Sequence, residues 1–218
     1  MNTKRIIFWS GFVIVLALIV WGLVVAMNKP VVSPEAKLGT PAPVTSADHV
    51  RGPVDAPITL VEYSDFQCPA CGAYYPLVEK LMTEASTSVR LVYRHFPLTQ
   101  HLNAPAAAYA SEAASKQGKF WDMYHELFDN QNSWSDVSDP KSIFDGYAQK
   151  LGLNMAQFDA DSVSTTTKAI VDGDLSEGTA LGINGTPTFF LNGKGIVTPG
   201  SYEEFKTTVL SAATSSAN

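Results

Sequence analysis

Ile58-Thr-Leu-Val-Glu-Tyr63, separated by four residues from Cys68-Pro-Ala-Cys71, is the stretch that decides the fold. Its first part is a short apolar run, which is typical of a buried β-strand. After the cysteines, apolar residues recur at the spacing of one helix face: Tyr74, Leu77, Val78, Leu81 and Met82. A helix should therefore begin at the cysteines, where Pro69 suits the first turn because its missing N–H is not needed there.

Cys68 and Cys71 are the two cysteines of the chain, too few to staple a domain of 218 residues together. At a helix N-terminus, unpaired N–H groups and the helix dipole favour a thiolate, so a thiol pKa of about 3.5 to 7.5 is expected. Cys68 comes first and should be the attacking sulfur, whereas Cys71 lies one turn into the helix and should be the resolving thiol. The alternatives are a structural disulfide, half of a zinc site, or a chance spacing.

The rest of the chain predicts a mixed α/β domain, residues 48–218, with a helical insertion at about 102–182. The elements predicted outside the insertion are a strand at Val89–Tyr93, a strand at Thr188–Leu191, an Asn192-Gly193 hairpin turn, a strand starting at Ile196-Val197, and a helix at Tyr202–Ala212. Asn103 is the predicted cap of the first inserted helix, which runs to Lys116. The order is β-α-β, a helical block, then β-β-α.

The N-terminal region predicts a membrane anchor. Residues 6–27 are apolar and uncharged, and as a helix they would span about 33 Å, enough to cross a bilayer. The basic residues of the short tip, 1–5, place that tip in the cytoplasm and the domain outside it. Residues 28–47 are rich in proline and predict an extended linker. A cleaved signal peptide is the alternative, and it exports the domain equally.

Composition excludes one class of function and limits others. The net charge is −6 and the sequence has no cluster of Lys and Arg, which argues against nucleic-acid binding. The four histidines, His49, His95, His101 and His125, are scattered without metal-ligand spacing. No metal site and no cofactor are therefore expected.

Two motifs carry a resemblance to a known family. Residues 52–71, Gly-Pro-Val-Asp-Ala-Pro-Ile-Thr-Leu-Val-Glu-Tyr-Ser-Asp-Phe-Gln-Cys-Pro-Ala-Cys, and residues 182–190, Gly-Ile-Asn-Gly-Thr-Pro-Thr-Phe-Phe, resemble the DsbA-like, thioredoxin-fold thiol–disulfide oxidoreductases of bacterial envelopes. His101 to Phe128 is similar to the start of that family's helical insertion. The resemblance covers residues 48–212 and implies a thioredoxin fold with a helical insertion, here preceded by one transmembrane helix.

The resemblance also implies roles for three further residues. Pro187 would be a cis proline beside the cysteines, exposing backbone for pairing with a substrate peptide, and Thr186 would lie against the sulfurs. Glu62 would assist proton transfer at the buried cysteine, with a pKa raised by desolvation. The alternatives are an ordinary trans proline in a turn, and a Glu62 at a strand end that reaches solvent.

The expected function is a membrane-tethered, extracytoplasmic thiol oxidase. The Cys68–Cys71 disulfide would oxidise cysteine pairs in exported, folding proteins, and a membrane redox partner would then reoxidise the reduced pair. A disulfide reductase or isomerase on the same scaffold is one alternative, and a non-catalytic module binding metal through its two thiolates is another. Ala70 stands where commonly discussed family members have histidine, so one hydrogen-bond donor near the thiolate is missing.

Overall fold

The computed structural model describes residues 38–215, with side chains up to Ala213. Five strands form one sheet in the order β1-β3-β2-β4-β5. The strands are β1 (His49–Arg51), β2 (Ile58–Ser64), β3 (Val89–His95), β4 (Thr188–Leu191) and β5 (Lys194–Ile196). The helices are α1 (Pro69–Glu84), α2 (Ala104–Ser115), α3 (Phe120–Asp129), α4 (Gln131–Trp134), α5 (Lys141–Lys150), α6 (Met155–Ser162), α7 (Thr165–Ala180) and α8 (Tyr202–Ser215).

The central strand β2 is buried because both of its faces are covered. It pairs parallel with β3 and antiparallel with β4. Ile58 and Leu60 belong to the hydrophobic cluster that contains residues of α1 and α8, whereas Val61 and Tyr63 belong to a second cluster across the sheet. Since side chains alternate along a strand, Glu62 points to the same face as Ile58 and Leu60.

Six helices, α2 to α7, lie between β3 and β4 in the sequence and form the insertion predicted at about 102–182. Their apolar residues join the two cysteines in one buried cluster that includes Tyr124, Leu127 and Trp134. The helical block therefore supplies one wall of the region around the cysteines.

The predicted elements outside the insertion are present, but some have different bounds. β3 runs two residues further than expected, to His95. The last strand was predicted to start at Ile196-Val197, but it starts at Lys194 and ends at Ile196, because the two-residue turn brings Lys194 directly into pairing with Leu191. The hairpin turn is confirmed, with positive φ at both Asn192 and Gly193. Two short elements, β1 and α4, were not predicted. Asn103 precedes α2 but makes no side-chain cap; its amide instead donates to the carbonyls of Trp134, Ser135 and Val137.

The predicted tip, the predicted anchor at 6–27 and the first part of the predicted linker lie outside the described residues. Among residues 38–215, no helix combines the length and apolar character that crossing a membrane requires. The last part of the predicted linker lies against the domain. Leu38 and Val44 pack on the cluster that contains Val61, and the Gly39 N–H donates to the Leu181 carbonyl at 2.9 Å. The packed unit thus begins before residue 48.

Candidate active site

The two cysteines lie at the N-terminus of α1, as the sequence predicted. Cys68 is the N-cap, with extended backbone, and Pro69 opens the first turn. Both cysteines are free thiols, and their exposure differs: Cys68 is 6% exposed and Cys71 is fully buried. The Gly72 N–H donates to the Cys68 carbonyl at 3.0 Å, which fixes the start of the helix. An incoming sulfur can therefore reach Cys68 and cannot reach Cys71.

The electrostatic environment of the two thiols is also unequal. The pKa of Cys68 is lowered to about 5, chiefly by a hydrogen bond from the Cys71 thiol. Burial opposes this shift, while the Thr186 side chain and the backbone N–H groups of Cys71 and Ala70 add to it. Burial raises the pKa of Cys71, and the neighbouring Cys68 and Glu62 raise it further. The pair therefore holds its negative charge on Cys68 and its proton on Cys71.

The loop before β4 lies against Cys68. The peptide bond between Thr186 and Pro187 is cis, as the resemblance implied. In its thiol form, Cys68 Sγ donates to the Thr186 carbonyl oxygen at 3.4 Å. The Thr188 hydroxyl holds the loop by donating to the Gly185 carbonyl at 2.7 Å. Thr186 and Pro187 are thus brought to the more exposed of the two sulfurs.

Glu62 lies behind the cysteines in a pocket that we call the Glu62 pocket, formed with Ser64, Tyr93 and Tyr124. Glu62 is 2% exposed, and burial raises its pKa to about 7. It stands opposite Tyr93 in the β2–β3 register, and the rings of Tyr93 and Tyr124 lie 5.5 Å apart. Glu62 therefore does not reach solvent, which removes the strand-end alternative.

The polar atoms of this pocket lack partners. Among the described residues, Oε2 of Glu62 and the hydroxyls of Ser64, Tyr93 and Tyr124 have no hydrogen bond. The Ser64 side chain lowers the pKa of both Glu62 and Cys71, so it lies near both groups. Ser64 and Glu62 are therefore two polar side chains that influence the buried Cys71 thiol.

The turn between β2 and α1 is held by side chains from distant parts of the chain. Oδ1 of Asp65 accepts from the Gln67 N–H at 2.7 Å, and Oδ2 accepts from His101 at 2.6 Å. Gln67 in turn accepts from the Asn103 N–H at 2.7 Å. Asp65 and Gln67 therefore shape the turn that leads into the site.

Gln131 is a site residue that the sequence did not reveal. Its amide donates to the carbonyls of Phe66 and Cys68, at 2.7 and 3.0 Å. Its side chain can approach the start of α1 closely because residue 72 is glycine. A Cβ at that position would collide with the Gln131 amide oxygen. Gln131 follows the turn after α3, and nothing in its local sequence pattern marks it as a neighbour of the cysteines.

Two of the histidines, which are scattered in the sequence, come together with a carboxylate in the fold. His49, His95 and Glu112 place one ligand atom each within 4.8 Å of one another. They come from β1, β3 and α2, so their sequence spacing could not reveal the group. The other two histidines have different partners: His101 pairs with Asp65, and His125 contacts the Tyr75 hydroxyl at 2.9 Å.

Comparison with known proteins assigns the class. The family described as Thioredoxin matches residues 44–210, so the chain belongs to the thioredoxin family. Similar solved structures include BdbD from Bacillus subtilis, 24% identical, covering 81% of this chain and 97% of that chain with a TM-score of 0.69. A thioredoxin-like oxidoreductase from Silicibacter pomeroyi is 26% identical over 78% of this chain and 94% of its own, with a TM-score of 0.66. The chain therefore has the fold of the thioredoxin family, with an overall architecture similar to that of these solved structures.

Curated relatives of this chain are named as Na(+)/H(+) antiporters, not as oxidoreductases. A Na(+)/H(+) antiporter NhaA 1 of Mycolicibacterium gilvum is 43% identical over 152 residues, which cover 67% of this chain and 24% of that protein. A Na(+)/H(+) antiporter NhaA 3 of Salinispora tropica is 40% identical over 166 residues, or 76% of this chain and 24% of that protein. The chain thus spans about a quarter of the length of these relatives.

Proposed function

We propose that this chain is a membrane-tethered, extracytoplasmic thiol–disulfide oxidoreductase that oxidises cysteine pairs in exported proteins. The observation that carries the proposal is the asymmetry of the cysteine pair. Cys68 is the reachable sulfur and has a pKa of about 5, whereas Cys71 is fully buried with a raised pKa. Thioredoxin-fold oxidoreductases need this division between an attacked sulfur and a resolving sulfur.

The reaction starts from the Cys68–Cys71 disulfide. A substrate thiolate attacks Cys68 Sγ, the bond between the two cysteines breaks, and Cys71 leaves as a thiolate. A second substrate thiolate then attacks the substrate sulfur of the mixed disulfide, and Cys68 leaves as a thiolate. The substrate loses two electrons and gains a disulfide, and the cysteine pair holds both electrons. A membrane redox partner would remove them.

Glu62 is suited to the proton transfer in the first step. The leaving Cys71 sulfur is buried, and burial makes an unprotonated thiolate there unfavourable. Burial raises the pKa of Glu62 to about 7, so near neutral pH it can hold a proton that an ordinary glutamate would have released. We therefore assign it the role of proton donor to Cys71, through the Ser64 hydroxyl or a water molecule in the Glu62 pocket.

The Cys68 thiolate supports the oxidising direction of the proposed reaction. An environment that stabilises the Cys68 thiolate stabilises the reduced form, so the disulfide becomes the stronger oxidant. A reductase on the same scaffold is the second candidate, favoured by Ala70, which offers no side-chain donor to the thiolate. The midpoint potential of the full chain separates the two, since a value near that of thioredoxin, about −270 mV, would support the reductase.

The location of the domain rests on sequence and not on the described residues. The apolar segment at 6–27, preceded by Lys4 and Arg5, supports a single anchor with the domain outside the cytoplasm. We do not propose Na⁺/H⁺ antiport, because the match covers about a quarter of the antiporter relatives and the matched family is thioredoxin.

Trapping tests the proposed activity. In Cys71→Ser, the mixed disulfide between a substrate and Cys68 cannot be resolved and should accumulate in cells. It should disappear on treatment with reductant. The matched control is Cys68→Ser, in which the remaining thiol is the fully buried Cys71. This variant should trap nothing. Equal trapping by both variants would contradict the assigned roles, and trapping by neither would contradict the oxidoreductase activity.

A further inference from the structure

Three side chains meet where the sheet faces the helical block. His49 comes from the edge strand β1, His95 from the end of β3, and Glu112 from the middle of α2. Both imidazoles direct Nε2 at the same carboxylate oxygen, Oε1 of Glu112, at 2.9 Å from His95 and in close contact with His49. His95 and Glu112 are buried, while the His49 side chain keeps 12% of its surface exposed.

The charge at this place favours a cation. The Glu112 carboxylate contacts both imidazoles through Oε1, so two nitrogen donors and one carboxylate oxygen face one another. A second carboxylate, Asp174, lies close enough to interact with both Glu112 and His95, and accepts a hydrogen bond from the His95 N–H at 2.9 Å. Arg94, which directly precedes His95 in the sequence, forms ion pairs with Asp48 and Glu177.

We propose that His49, His95 and Glu112 bind a divalent transition-metal ion, of which Zn²⁺ is the best match. Two imidazole nitrogens and one carboxylate oxygen are a donor set that suits zinc, and a water molecule would complete a tetrahedron. Bonds of about 2.0–2.1 Å would place the ligand atoms about 3.3 Å apart. The ligand atoms lie within 4.8 Å of one another. To reach a separation of about 3.3 Å, the His95–Glu112 contact of 2.9 Å must open by about 0.4 Å, and any pair at the 4.8 Å limit must close by about 1.5 Å.

The ion would act on the fold and not on the disulfide chemistry. It would tie β1, which pairs only through the three residues His49–Arg51, to β3 and to the helical block. The exposed edge of His49 provides the entry path. The competing account is a hydrogen-bonded group without metal, in which each imidazole donates from Nε2 to Glu112.

The binding test requires a protein without cysteine thiols, because a reduced cysteine pair also binds zinc. The full chain with Cys68→Ser and Cys71→Ser, stripped with a chelator, is titrated with ZnCl₂ in a calorimeter, and separately with MgCl₂ and CaCl₂. One Zn²⁺ per chain should bind, and the thermal midpoint should rise with Zn²⁺ concentration. Neither Mg²⁺ nor Ca²⁺ should show binding in its own titration. CoCl₂ should give visible bands of a tetrahedral nitrogen and oxygen site.

Variants locate the ion. Glu112→Gln keeps an oxygen that accepts hydrogen bonds but loses the charge, and His49→Asn changes the most accessible ligand. Each should weaken zinc binding by more than the 10–100-fold typical of losing an outer-shell partner. The control is His125→Ala, which removes a histidine outside the group. Circular dichroism confirms that each variant is folded. Absent zinc binding, or binding unchanged in both variants, would establish the hydrogen-bonded group instead.

Discussion

Replacing Glu62 with Gln should change how stability depends on pH. The pKa of Glu62 is about 7 in the folded protein, against 4.5 for an ordinary glutamate, because the carboxyl is buried. Between these values the folded state holds a proton that the unfolded chain has released. A group with a raised folded pKa therefore favours the native state at low pH, and this contribution is lost as pH rises. The window runs from about pH 4.5 to about pH 7.

The size of the effect follows from the shift. A difference of about 2.5 pH units, at about 1.4 kcal/mol per unit, gives about 3 kcal/mol of native stability lost between pH 4 and pH 8. The amide introduced by Glu62→Gln is neutral throughout, so the variant would not lose this contribution. The stability of Glu62→Gln relative to the parent should therefore increase by about 3 kcal/mol over this range. The difference in unfolding free energy between the two proteins at pH 4 can have either sign. Only the change of this difference with pH tests the raised pKa of Glu62.

The assay is urea unfolding of both proteins at pH 4 and pH 8, with Cys68→Ser and Cys71→Ser in the background so that no thiol titrates. The raised pKa of Glu62 should survive there, because burial and Glu79 raise it, Ser64 and Arg51 oppose the rise, and neither cysteine is among these causes. The control is Glu84→Gln, which removes an exposed carboxylate whose pKa is lowered by Lys206 and should show no such gain. A gap between parent and Glu62→Gln that stays constant within about 0.5 kcal/mol would show that Glu62 ionises normally, and would refute the buried proton donor.

Three further results are expected. The thiolate absorbance of the reduced protein should titrate with a midpoint near pH 5, and a first midpoint above pH 8 would contradict the assignment to Cys68. Thr186→Val removes a side chain that lowers the Cys68 pKa, so the midpoint should rise and the disulfide should become a weaker oxidant; an unchanged midpoint would exclude the hydroxyl. Gln131→Ala leaves the Phe66 and Cys68 carbonyls without their donor and should cost about 1–3 kcal/mol in urea unfolding, whereas Asn132→Ala, at the exposed neighbouring position, should be near neutral.

Much of the site could be predicted because its parts are local in sequence. The strand, the Cys68–Cys71 spacing and the helix form one continuous stretch, and alternation along β2 alone places Glu62 on the face that α1 covers. The cis bond before Pro187 required the resemblance, because most prolines are trans and no local pattern marks this one.

What the sequence missed depends on contacts between distant segments. Gln131 and Tyr124 reach the site only because α3 and α4 fold against it, and their own spacing is that of an ordinary helix face. The three residues of β1 are too few to show an alternating pattern. Asn103 has the sequence signature of a cap, but three carbonyls near Trp134 take its amide instead. In each case a tertiary contact outweighed the local propensity.

Ala70 has a limited effect on the Cys68 thiolate, because most of the lowering of the Cys68 pKa comes from other groups. The residues between the cysteines contribute only a backbone N–H, and the largest contribution comes from Cys71 itself. The helix start and the Thr186–Pro187 loop supply the rest, and both are fixed by the fold. A side-chain donor at position 70 would add to a thiolate that these contacts already stabilise. The lack of one therefore tunes the potential without removing the asymmetry between Cys68 and Cys71 on which disulfide exchange depends.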